Sequence, residues 1–190
     1  IDLLRLNMSH VKLNSLEKLI KKIKKKTKVP ICIDTEGAQI RTKVKISKKI
    51  NQGQTFYIYR TKGNLRFYPK DIFFKLKLND NIFIGFDNLC GKIIKIHKHK
   101  ITLKCLSSGF LETNKGVHIQ NRRIKINFLT NKDFTAIEIA KKNKIKNFAL
   151  SFTNNCDDIK KFNSLLPNKN KYFKIETKEA LRNFKQMTKI

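Results

Sequence analysis

A short apolar segment in the first quarter of the chain runs directly into a cluster of polar residues. Ile31, Cys32 and Ile33 follow Pro30, and residues 34–42 then supply a carboxylate, a hydroxyl, a glycine and an arginine. A short apolar run bounded by a proline is typical of a buried strand. Polar groups at the carboxyl end of such a strand form the active sites of many α/β sheets and barrels. The alternative is a structural strand that ends in a solvated turn.

The residues before this strand predict a β-α-β unit. The segment from Asp2 to Asn7 has the pattern of the end of a strand. A lysine-rich segment follows, in which apolar residues recur at helical spacing at Leu13, Leu16, Leu19, Ile20 and Ile23. Asn14 and Glu17 resemble a capping box for this helix. Strand, helix and strand in succession predict a parallel strand pair.

Residues 43–122 have a different pattern. Short alternating segments follow one another between turn residues and show no helical periodicity, which predicts a small β-barrel or sandwich. The predicted strands are Val44–Ile46, Phe56–Tyr59, Ile72–Leu78, Ile82–Ile84, Ile93–Ile96 and Ile101–Cys105. Because α/β segments lie on both sides, we interpret this region as an inserted domain.

The α/β pattern resumes after residue 123, with Thr130 as the predicted cap of a helix. The later predicted elements are a strand at Phe148–Leu150 ending at Ser151, a helix at Asn155–Leu166, a strand at Tyr172–Glu176 and a helix at Glu179–Met187. We therefore predict an α/β fold, a partial (β/α)8 TIM-type barrel (residues 1–42 and 123–190) with an inserted small all-β barrel domain (residues 43–122). Too few strands are present to close the larger barrel, so we expect a fragment.

The charge of the chain is strongly positive, with 43 Lys and Arg against 14 Asp and Glu, a formal net charge of +29. Such an excess attracts polyanions, nucleic acid included. Lysine is nevertheless spread along the whole chain beside abundant Ile and Asn, which indicates a general drift in amino-acid usage. We therefore expect no nucleic-acid partner. The apolar runs are too short to span a membrane, so no membrane association is expected either.

The four cysteines are Cys32, Cys90, Cys105 and Cys156, and no two of them form a CxxC pair. Reduced, structural thiols of a cytoplasmic protein are the favoured interpretation. His97 and His99 alternate with lysines and have no acidic or cysteine neighbours. A metal site at these histidines is therefore not expected.

Polar residues recur at the predicted strand ends. They are Arg5, Asn7 and Ser9 at the first end, Asp34, Thr35 and Arg41 at the second, Ser151 at the third, and Lys174 with Glu176 at the fourth. In a parallel sheet these ends lie at one edge. Cations there suit an anionic substrate, and carboxylates among them suit a metal ion. Together they indicate phosphate chemistry with Mg²⁺, although neither glycine-rich phosphate loop is present.

Six segments resemble motifs of the pyruvate kinase family, in the same order and spacing across nearly all 190 residues. Residues 5–10 (RLNMSH) resemble RLNFSHG, residues 34–42 (DTEGAQIRT) resemble DTKGPEIRTG, residues 115–118 (KGVH) resemble KGVN, residues 129–133 (LTNKD) resemble LTEKD, residues 149–152 (ALSF) match the ASF strand end, and residues 174–182 resemble KIENxEGxR. The β-rich region also falls where that family inserts its lid domain.

The resemblance implies that the full-length protein, expected to be a cytoplasmic homotetramer, transfers phosphate from phosphoenolpyruvate to ADP in glycolysis. Arg5 and Lys174 would be catalytic, with Arg5 on the transferred phosphate and Lys174 stabilising its charge. Substrate or nucleotide contacts are implied for Arg5, His10, Arg41, Lys115 and Ser151. Glu176 would bind Mg²⁺ or Mn²⁺, and K⁺ would be bound by Asn7, Ser9, Asp34 and the Thr35 carbonyl.

Several positions depart from the family pattern. Glu36, Ala38 and Gln39 stand where the family has Lys, Pro and Glu, and because that Glu is linked to K⁺ dependence, Gln39 leaves the need for K⁺ open. Phe86-Asp87-Asn88 does not clearly match the paired aspartates of the lid. A second Mg²⁺-binding aspartate and the substrate loop are expected beyond residue 190, so the 190 residues alone are expected to be inactive.

Other interpretations also remain open. A divergent relative could act on a different acid, and a non-catalytic relative could serve as a basic polyanion-binding module. At single positions, Arg5 could form a structural pair with Asp34, and Lys174 with Glu176. Asn7 and Ser9 could be cap or turn residues, and His10 could have only a local role.

Overall fold

The computed structural model describes residues 1–85, 89–122 and 124–190. The chain divides into two units: unit 1 contains Ile1–Ala38 and Ile126–Ile190, and unit 2 contains Gln39–Lys125. Residues Phe86, Asp87 and Asn88, where the sequence departs from the paired aspartates of the family, lie outside the described residues.

The elements follow in chain order, for the part of the chain that the structure describes. The strands are β1 (Leu4–Asn7), β2 (Ile31–Asp34), β3 (Ile40–Val44), β4 (Lys48–Ile50), β5 (Thr55–Tyr59), β6 (Leu65–Tyr68), β7 (Asn81–Ile84), β8 (Leu89–Ile96), β9 (Lys100–Ser107), β10 (Gly109–Leu111), β11 (Gly116–Ile119), β12 (Asn147–Leu150) and β13 (Asn170–Phe173). The helices are α1 (Leu13–Lys26), α2 (Asn131–Lys142), α3 (Cys156–Leu165) and α4 (Lys178–Met187), and Lys70–Lys75 forms a 3-10 helix. None of the described helices is long and apolar enough to cross a membrane.

Unit 1 contains a four-stranded parallel sheet in the order β1-β2-β12-β13. Its central strands β2 and β12 are buried along their whole length. This burial explains their continuous apolar runs, because the strands of a parallel sheet are shielded from solvent on both faces. The predicted β-α-β unit and the α/β class are confirmed.

The core of unit 1 lies between the sheet and its helices. Leu16 and Ile20 of α1 are fully buried there, together with Ile137 of α2, Phe148 of β12 and Phe162 of α3. In the sequence, apolar residues recur at helical spacing in α1 and form a continuous run in β12. These patterns predict which side of each element faces the core.

The predicted capping box at the start of α1 is wrong. The helix begins after Lys12, which makes no side-chain capping bond, and Glu17 lies inside the helix, where its carboxylate pairs with Lys21 at 2.7 Å. An acidic residue four positions before a lysine forms an ion pair along the helix surface. Glu17 therefore stabilises the helix through this pair and does not act as a capping group.

Unit 2 contains a closed barrel in the order β11-β3-β6-β5-β9-β8-β7, and β4 pairs separately with β10. The pairs are antiparallel except for β5 and β6, which are parallel. In β9, Ile101, Leu103 and Cys105 are buried and the residues between them are more exposed. Closure leaves no open edge between the seven strands, which is how small β-folds avoid edge-to-edge pairing.

Three predicted strands differ from the structure. The segment predicted as the strand Ile72–Leu78 is not a strand: its first four residues are the end of the 3-10 helix, which stops at Lys75, and the adjacent residues Ile72 and Phe73 are both buried. Two successive buried side chains cannot follow the alternation of a half-buried strand. The first barrel strand ends at Val44, leaving Ile46 exposed, and the last strand ends at Phe173, so Lys174 and Glu176 follow it.

Thr130 is the N-cap of α2, as predicted. Its hydroxyl oxygen accepts a hydrogen bond from the Asp133 backbone N–H at 3.1 Å, and the Asp133 carboxylate accepts one from the Thr130 N–H at 2.9 Å. This reciprocal pair satisfies two N–H groups that the helix itself leaves unbonded. It fixes the residue at which α2 begins.

We expect Thr130→Ala to lower the free energy of unfolding by about 1–2 kcal/mol, because it removes the capping oxygen. Urea denaturation measures the change. Thr135→Ala, at an exposed position of the same helix, is the matched control and should change stability by less than about 0.5 kcal/mol. Equal effects of the two substitutions would show that the cap contributes nothing specific.

A buried ion pair joins two segments of unit 2. Arg122 donates to both carboxylate oxygens of Asp80, from Nε at 2.7 Å and from Nη2, and it also reaches the Lys75 carbonyl at 2.8 Å. Burial acts to raise the pKa of Asp80, but the hydrogen bonds from Arg122 and the Lys77 N–H lower it overall. The pair therefore favours the ionised carboxylate in the folded state.

Arg122→Met should lower the free energy of unfolding at pH 7 by about 1–3 kcal/mol, because it leaves a buried carboxylate without its partner. The folded-state pKa of Asp80 is lowered, so the stabilisation is present above the unfolded pKa of about 3.9 and is lost as the pH falls through the folded pKa. Denaturation curves at several pH values should show the difference shrinking below about pH 4. Lys70→Met at an exposed position is the control, and a difference that does not depend on pH would contradict this account.

Candidate functional site

The candidate site of unit 1 is built around one buried carboxylate, that of Asp34. Its Oδ2 accepts a hydrogen bond from Arg5 Nη1 at 2.8 Å and another from Lys174 Nζ at 3.2 Å. Its Oδ1 lies 3.0 Å from Ser151 Oγ. The Asp34 side chain is 0% exposed, whereas that of Arg5 is 57% exposed. A buried carboxylate needs such compensation, and the two cations supply it while remaining open to solvent.

The strand register brings these residues together. Asn7 of β1 lies opposite Asp34 of β2, and Ala149 of β12 lies on the other side of Asp34. The Lys174 backbone N–H bonds the Leu150 carbonyl at 3.0 Å, which continues the pairing of β12 and β13 beyond the last strand residue. Because all four strands are parallel, their carboxyl ends share one edge of the sheet. The expected gathering of the unit 1 residues at that edge is what the structure shows.

Ser151 is buried and contacts protein oxygens. Its Oγ lies 2.6 Å from the Thr35 carbonyl oxygen and its N–H donates to Thr35 Oγ1 at 3.1 Å. Gly37 has a φ of +65°, and a Cβ there would lie 2.2 Å from the Ser151 carbonyl oxygen. Only glycine fits this close approach of two backbones. The chain path after β2 is therefore held against Ser151.

Glu176 stands beside Lys174 at the same edge. Its Oε2 accepts a hydrogen bond from the Phe152 backbone N–H at 3.0 Å, and its Oε1 lies 3.5 Å from Lys174 Nζ. Lys174 therefore lies between two carboxylates, those of Asp34 and Glu176. The two ion pairs that the sequence left open as structural alternatives, Arg5 with Asp34 and Lys174 with Glu176, are both formed.

The oxygen atoms at this edge are of the types that hard cations prefer. Asn7, Ser9, Asp34 and Thr35 offer amide, hydroxyl, carboxylate and carbonyl oxygens, and Glu176 offers a carboxylate. Several of these oxygens already have protein partners. Asn7 Oδ1 accepts a hydrogen bond from the Ser9 N–H at 2.9 Å, and the Asp34 and Thr35 oxygens lie within hydrogen-bond distance of Ser151 Oγ. Within the described residues no group of three His, Cys, Asp or Glu side chains converges. The donor set thus fits the implied ions in type, with one carboxylate for a divalent ion.

The other three predicted contact residues have the following local surroundings. His10 is exposed, and its backbone N–H bonds the Asn7 carbonyl at 3.0 Å. Arg41 and Lys115 belong to unit 2, where Arg41 Nη1 donates to the Asn114 carbonyl at 3.2 Å and Lys115 Nζ pairs with Glu112 at 2.9 Å.

The sequence did not predict a second polar cluster at the end of β2. Glu36 is 6% exposed and pairs with Lys132 Nζ at 3.0 Å, and it also accepts from Thr130 Oγ1 at 3.2 Å. Lys132 Nζ also donates to the Met8 carbonyl. Glu36 appeared in the sequence only as a departure from the family pattern. The opposite charges of Glu36 and Lys132 were visible in the sequence. The two residues are far apart along the chain, however, and no pattern in the sequence indicated that their side chains form an ion pair.

Asp133 completes this cluster as a fully buried acceptor. Its carboxylate receives the backbone N–H groups of Glu36 at 2.7 Å and Gly37 at 3.1 Å. Burial raises the pKa of Asp133, although the hydrogen bonds from Thr130, Glu36 and Gly37 act in the opposite direction. These bonds fix the backbone that follows Asp34 and Thr35, so the start of α2 determines the course of the loop.

The thiol of Cys32 lies next to the site on β2 and is 2% exposed. Burial, with the Asp34 carboxylate as the next cause, raises the pKa of Cys32 to about 11. Burial also raises the pKa values of Cys90 and Cys105. All four cysteines are free thiols, and Cys156 is the least buried of them.

In the folded protein at about pH 8, iodoacetamide should alkylate Cys156 well before Cys32, because the thiolate is the reacting form and a buried thiol of raised pKa forms little of it. Mass spectrometry of the digested peptides measures the order of labelling. All four cysteines should react at similar rates in denaturant, which is the control. Labelling of Cys32 as fast as Cys156 in the folded protein would contradict the burial described.

Comparison with known proteins supports a family assignment. The family model described as the pyruvate kinase barrel domain matches residues 1–190. The pyruvate kinase of Thermotoga maritima is 26% identical over 210 residues, and that of Methanocaldococcus jannaschii is 29% identical over 209 residues. Both alignments cover 100% of this chain, and they cover 44% and 42% of the respective relatives.

A solved structure agrees at the level of the fold. The crystal structure of Cryptosporidium parvum pyruvate kinase matches with a TM-score of 0.88 and 22% identity, covering 100% of this chain and 44% of that one. The chain thus spans less than half the length of the curated relatives it matches. The match to the family model extends over the whole chain and confirms the resemblance carried by the six motifs. The chain belongs to the pyruvate kinase barrel domain family.

Proposed function

We propose that the full-length protein transfers the phosphoryl group of phosphoenolpyruvate to ADP, giving pyruvate and ATP. Membership of the family supports the reaction class, and the observation that carries the proposal is the shared oxygen of Asp34. Arg5 and Lys174 both bond this one oxygen, so two cations lie close together at the carboxyl edge of the sheet. Both side chains remain partly exposed, at 57% and 28%. A phosphoryl group at this edge can therefore reach both of them.

The chemistry of phosphoryl transfer explains why this arrangement matters. The reaction depends mainly on positioning and on neutralising the charge spread over the phosphoryl oxygens. Asp34 holds the two cations before the substrate arrives, so little reorganisation is needed when charge develops. In this proposal Arg5 binds the transferred phosphate and Lys174 stabilises it during transfer.

The remaining assignments are also part of the proposal. Glu176 would hold Mg²⁺ or Mn²⁺, oriented by the Phe152 N–H, and K⁺ would be bound by Asn7, Ser9, Asp34 and the Thr35 carbonyl. A bound divalent ion would neutralise phosphate charge and orient the substrates. Ser151 would position the Asp34 and Thr35 oxygens. His10, Arg41 and Lys115 would contact the nucleotide.

The proposed domain arrangement follows the same resemblance. Residues 1–42 and 123–190 would be part of a (β/α)8 barrel, and residues 43–122 would form the lid domain. The full-length protein is expected to be a cytoplasmic homotetramer. Gln39 stands where the family has the glutamate that is linked to K⁺ dependence, so assays with and without K⁺ decide whether the full-length protein needs this ion.

In the full-length protein, Lys174→Met should lower the rate of pyruvate formation by about 10²–10³-fold, because one charge that stabilises the transition state is lost. A coupled assay for pyruvate from phosphoenolpyruvate and ADP measures the rate. Lys178→Met, at an exposed position four residues further along, is the matched control and should keep the wild-type rate.

The outcomes of this assay separate two failures. If the wild-type protein forms no pyruvate from these substrates, the proposed reaction is wrong. If the wild-type protein is active and Lys174→Met keeps its rate, Lys174 has no part in the mechanism.

A further inference from the structure

Two segments of unit 1 that are far apart in sequence are both rich in lysine. Residues 12–28 contain eight lysines and one glutamate, and residues 141–146 contain four lysines and no acidic residue. The lysines are Lys12, Lys18, Lys21, Lys22, Lys24, Lys25, Lys26, Lys28, Lys141, Lys142, Lys144 and Lys146. We refer to these twelve residues as the basic patch.

The fold joins the two segments into one surface. Helices α1 and α2 pack side by side through Leu16, Ile20 and Ile137 in the shared core. At their carboxyl ends, Lys24 Nζ donates to the Asn143 carbonyl at 2.5 Å. A hydrogen bond from Lys21 and the nearby Lys142 lower the pKa of Glu17. The lysines of α1 and those that follow α2 are therefore neighbours.

The lysines at the carboxyl ends of α1 and α2 lie toward the opposite edge of the sheet from the Asp34 cluster, whereas Lys12 stands at the start of α1, after the carboxyl end of β1. Helix α1 leads into the start of β2, and α2 leads into the start of β12. Asp34 and Ser151 stand at the other ends of the same strands. The lysines near the carboxyl ends of the two helices are therefore remote from the phosphate site that we propose for Asp34, and their charge needs a separate explanation.

Few carboxylates neutralise the patch. Lys21 pairs with Glu17 at 2.7 Å and Lys141 pairs with Glu138 at 3.0 Å. Within the described ranges, the other ten lysines of the patch form no ion pair with a carboxylate. The carboxyl ends of the two helices offset part of this charge, but that effect is limited to the last turn. A concentrated positive field of this kind attracts a polyanion.

The spacing and composition of the patch select the kind of polyanion. Helix α1 has six lysines over 14 residues, a length of about 21 Å at 1.5 Å per residue. All six lie between Lys18 and Lys26. Lys18, Lys22 and Lys25 share one face over about 10 Å, which is about three intervals of the roughly 3.4 Å spacing between phosphates along one strand of a duplex. Neither lysine-rich segment contains an aromatic residue, so the patch offers no stacking platform for unpaired bases.

A membrane surface fits less well. An interfacial helix inserts its apolar face into the lipid, but the apolar face of α1 is already buried, with Leu16 and Ile20 both 0% exposed. We propose that the basic patch binds duplex nucleic acid through its phosphates, without reading its sequence. This proposal reverses the expectation from composition, because the sequence alone showed two separate lysine runs and the structure shows one surface.

The test uses the full-length protein and a fluorescent duplex of about 20 base pairs, with affinity followed by anisotropy at several salt concentrations. Combining Lys18→Gln, Lys22→Gln and Lys25→Gln should weaken binding about tenfold or more and reduce the slope of log K against log salt by about 2.7. Lys142→Gln with Lys144→Gln should also weaken binding. Glutamine keeps the helix propensity of lysine, so the fold should persist, and circular dichroism checks it.

The matched control combines Lys95→Gln, Lys98→Gln and Lys104→Gln, which removes the same charge from exposed positions of unit 2. It should change the affinity by less than about twofold, because these lysines lie outside the patch. Equal losses in the two triple variants would overturn the proposal, since binding would then reflect net charge alone. Absence of duplex binding, or tighter binding to vesicles of anionic lipid than to the duplex, would overturn it as well.

Discussion

The carboxylate of Asp34 is the constraint on which the proposed site depends. It is fully buried, and an ionised carboxylate in that position is stable only when cations and donors surround it. Arg5 comes from the first strand, Ser151 follows the third and Lys174 follows the fourth. The groups that stabilise Asp34 thus come from the other three strands of the sheet or from the residues that follow them, and the same contacts bring two cations to one carboxylate oxygen. Under the proposed function, stability of the fold and preparation for phosphate chemistry have one physical cause.

A second buried carboxylate, that of Asp133, extends this constraint to the loop. By accepting the N–H groups of Glu36 and Gly37, it holds the backbone that leaves β2. Gly37 permits the approach to Ser151, and Lys132 links this loop to the Met8 carbonyl. The loops after β1 and β2 are therefore tied to the start of α2. The oxygens proposed to bind ions are carried by these restrained loops, which agrees with the need for preorganised groups in phosphoryl transfer.

Local patterns predicted much of this fold because they report burial. The apolar run of Ile31–Ile33, the helical spacing of Leu16 and Ile20, and the cap at Thr130 each have a local physical cause.

Prediction was wrong where a local pattern had two possible meanings. Asn14 and Glu17 have the spacing of a capping box, yet Glu17 forms an ion pair with Lys21. The apolar residues at 72–78 suited a strand, yet the adjacent residues Ile72 and Phe73 are both buried in a 3-10 helix. The pairing of Glu36 with Lys132, and the joining of two lysine runs, depend on contacts between distant residues that one sequence does not reveal.

The central claim is that Asp34 sets the position of Lys174 for catalysis. A double-mutant cycle in the full-length protein tests it most directly, with Asp34→Asn and Lys174→Arg made singly and together and kcat for pyruvate formation measured in each. We expect the two effects to be coupled by about 1 kcal/mol or more, because Lys174 without Asp34 has already lost its position. Effects that add to within about 0.5 kcal/mol would mean that the two residues act independently. That result would contradict the account.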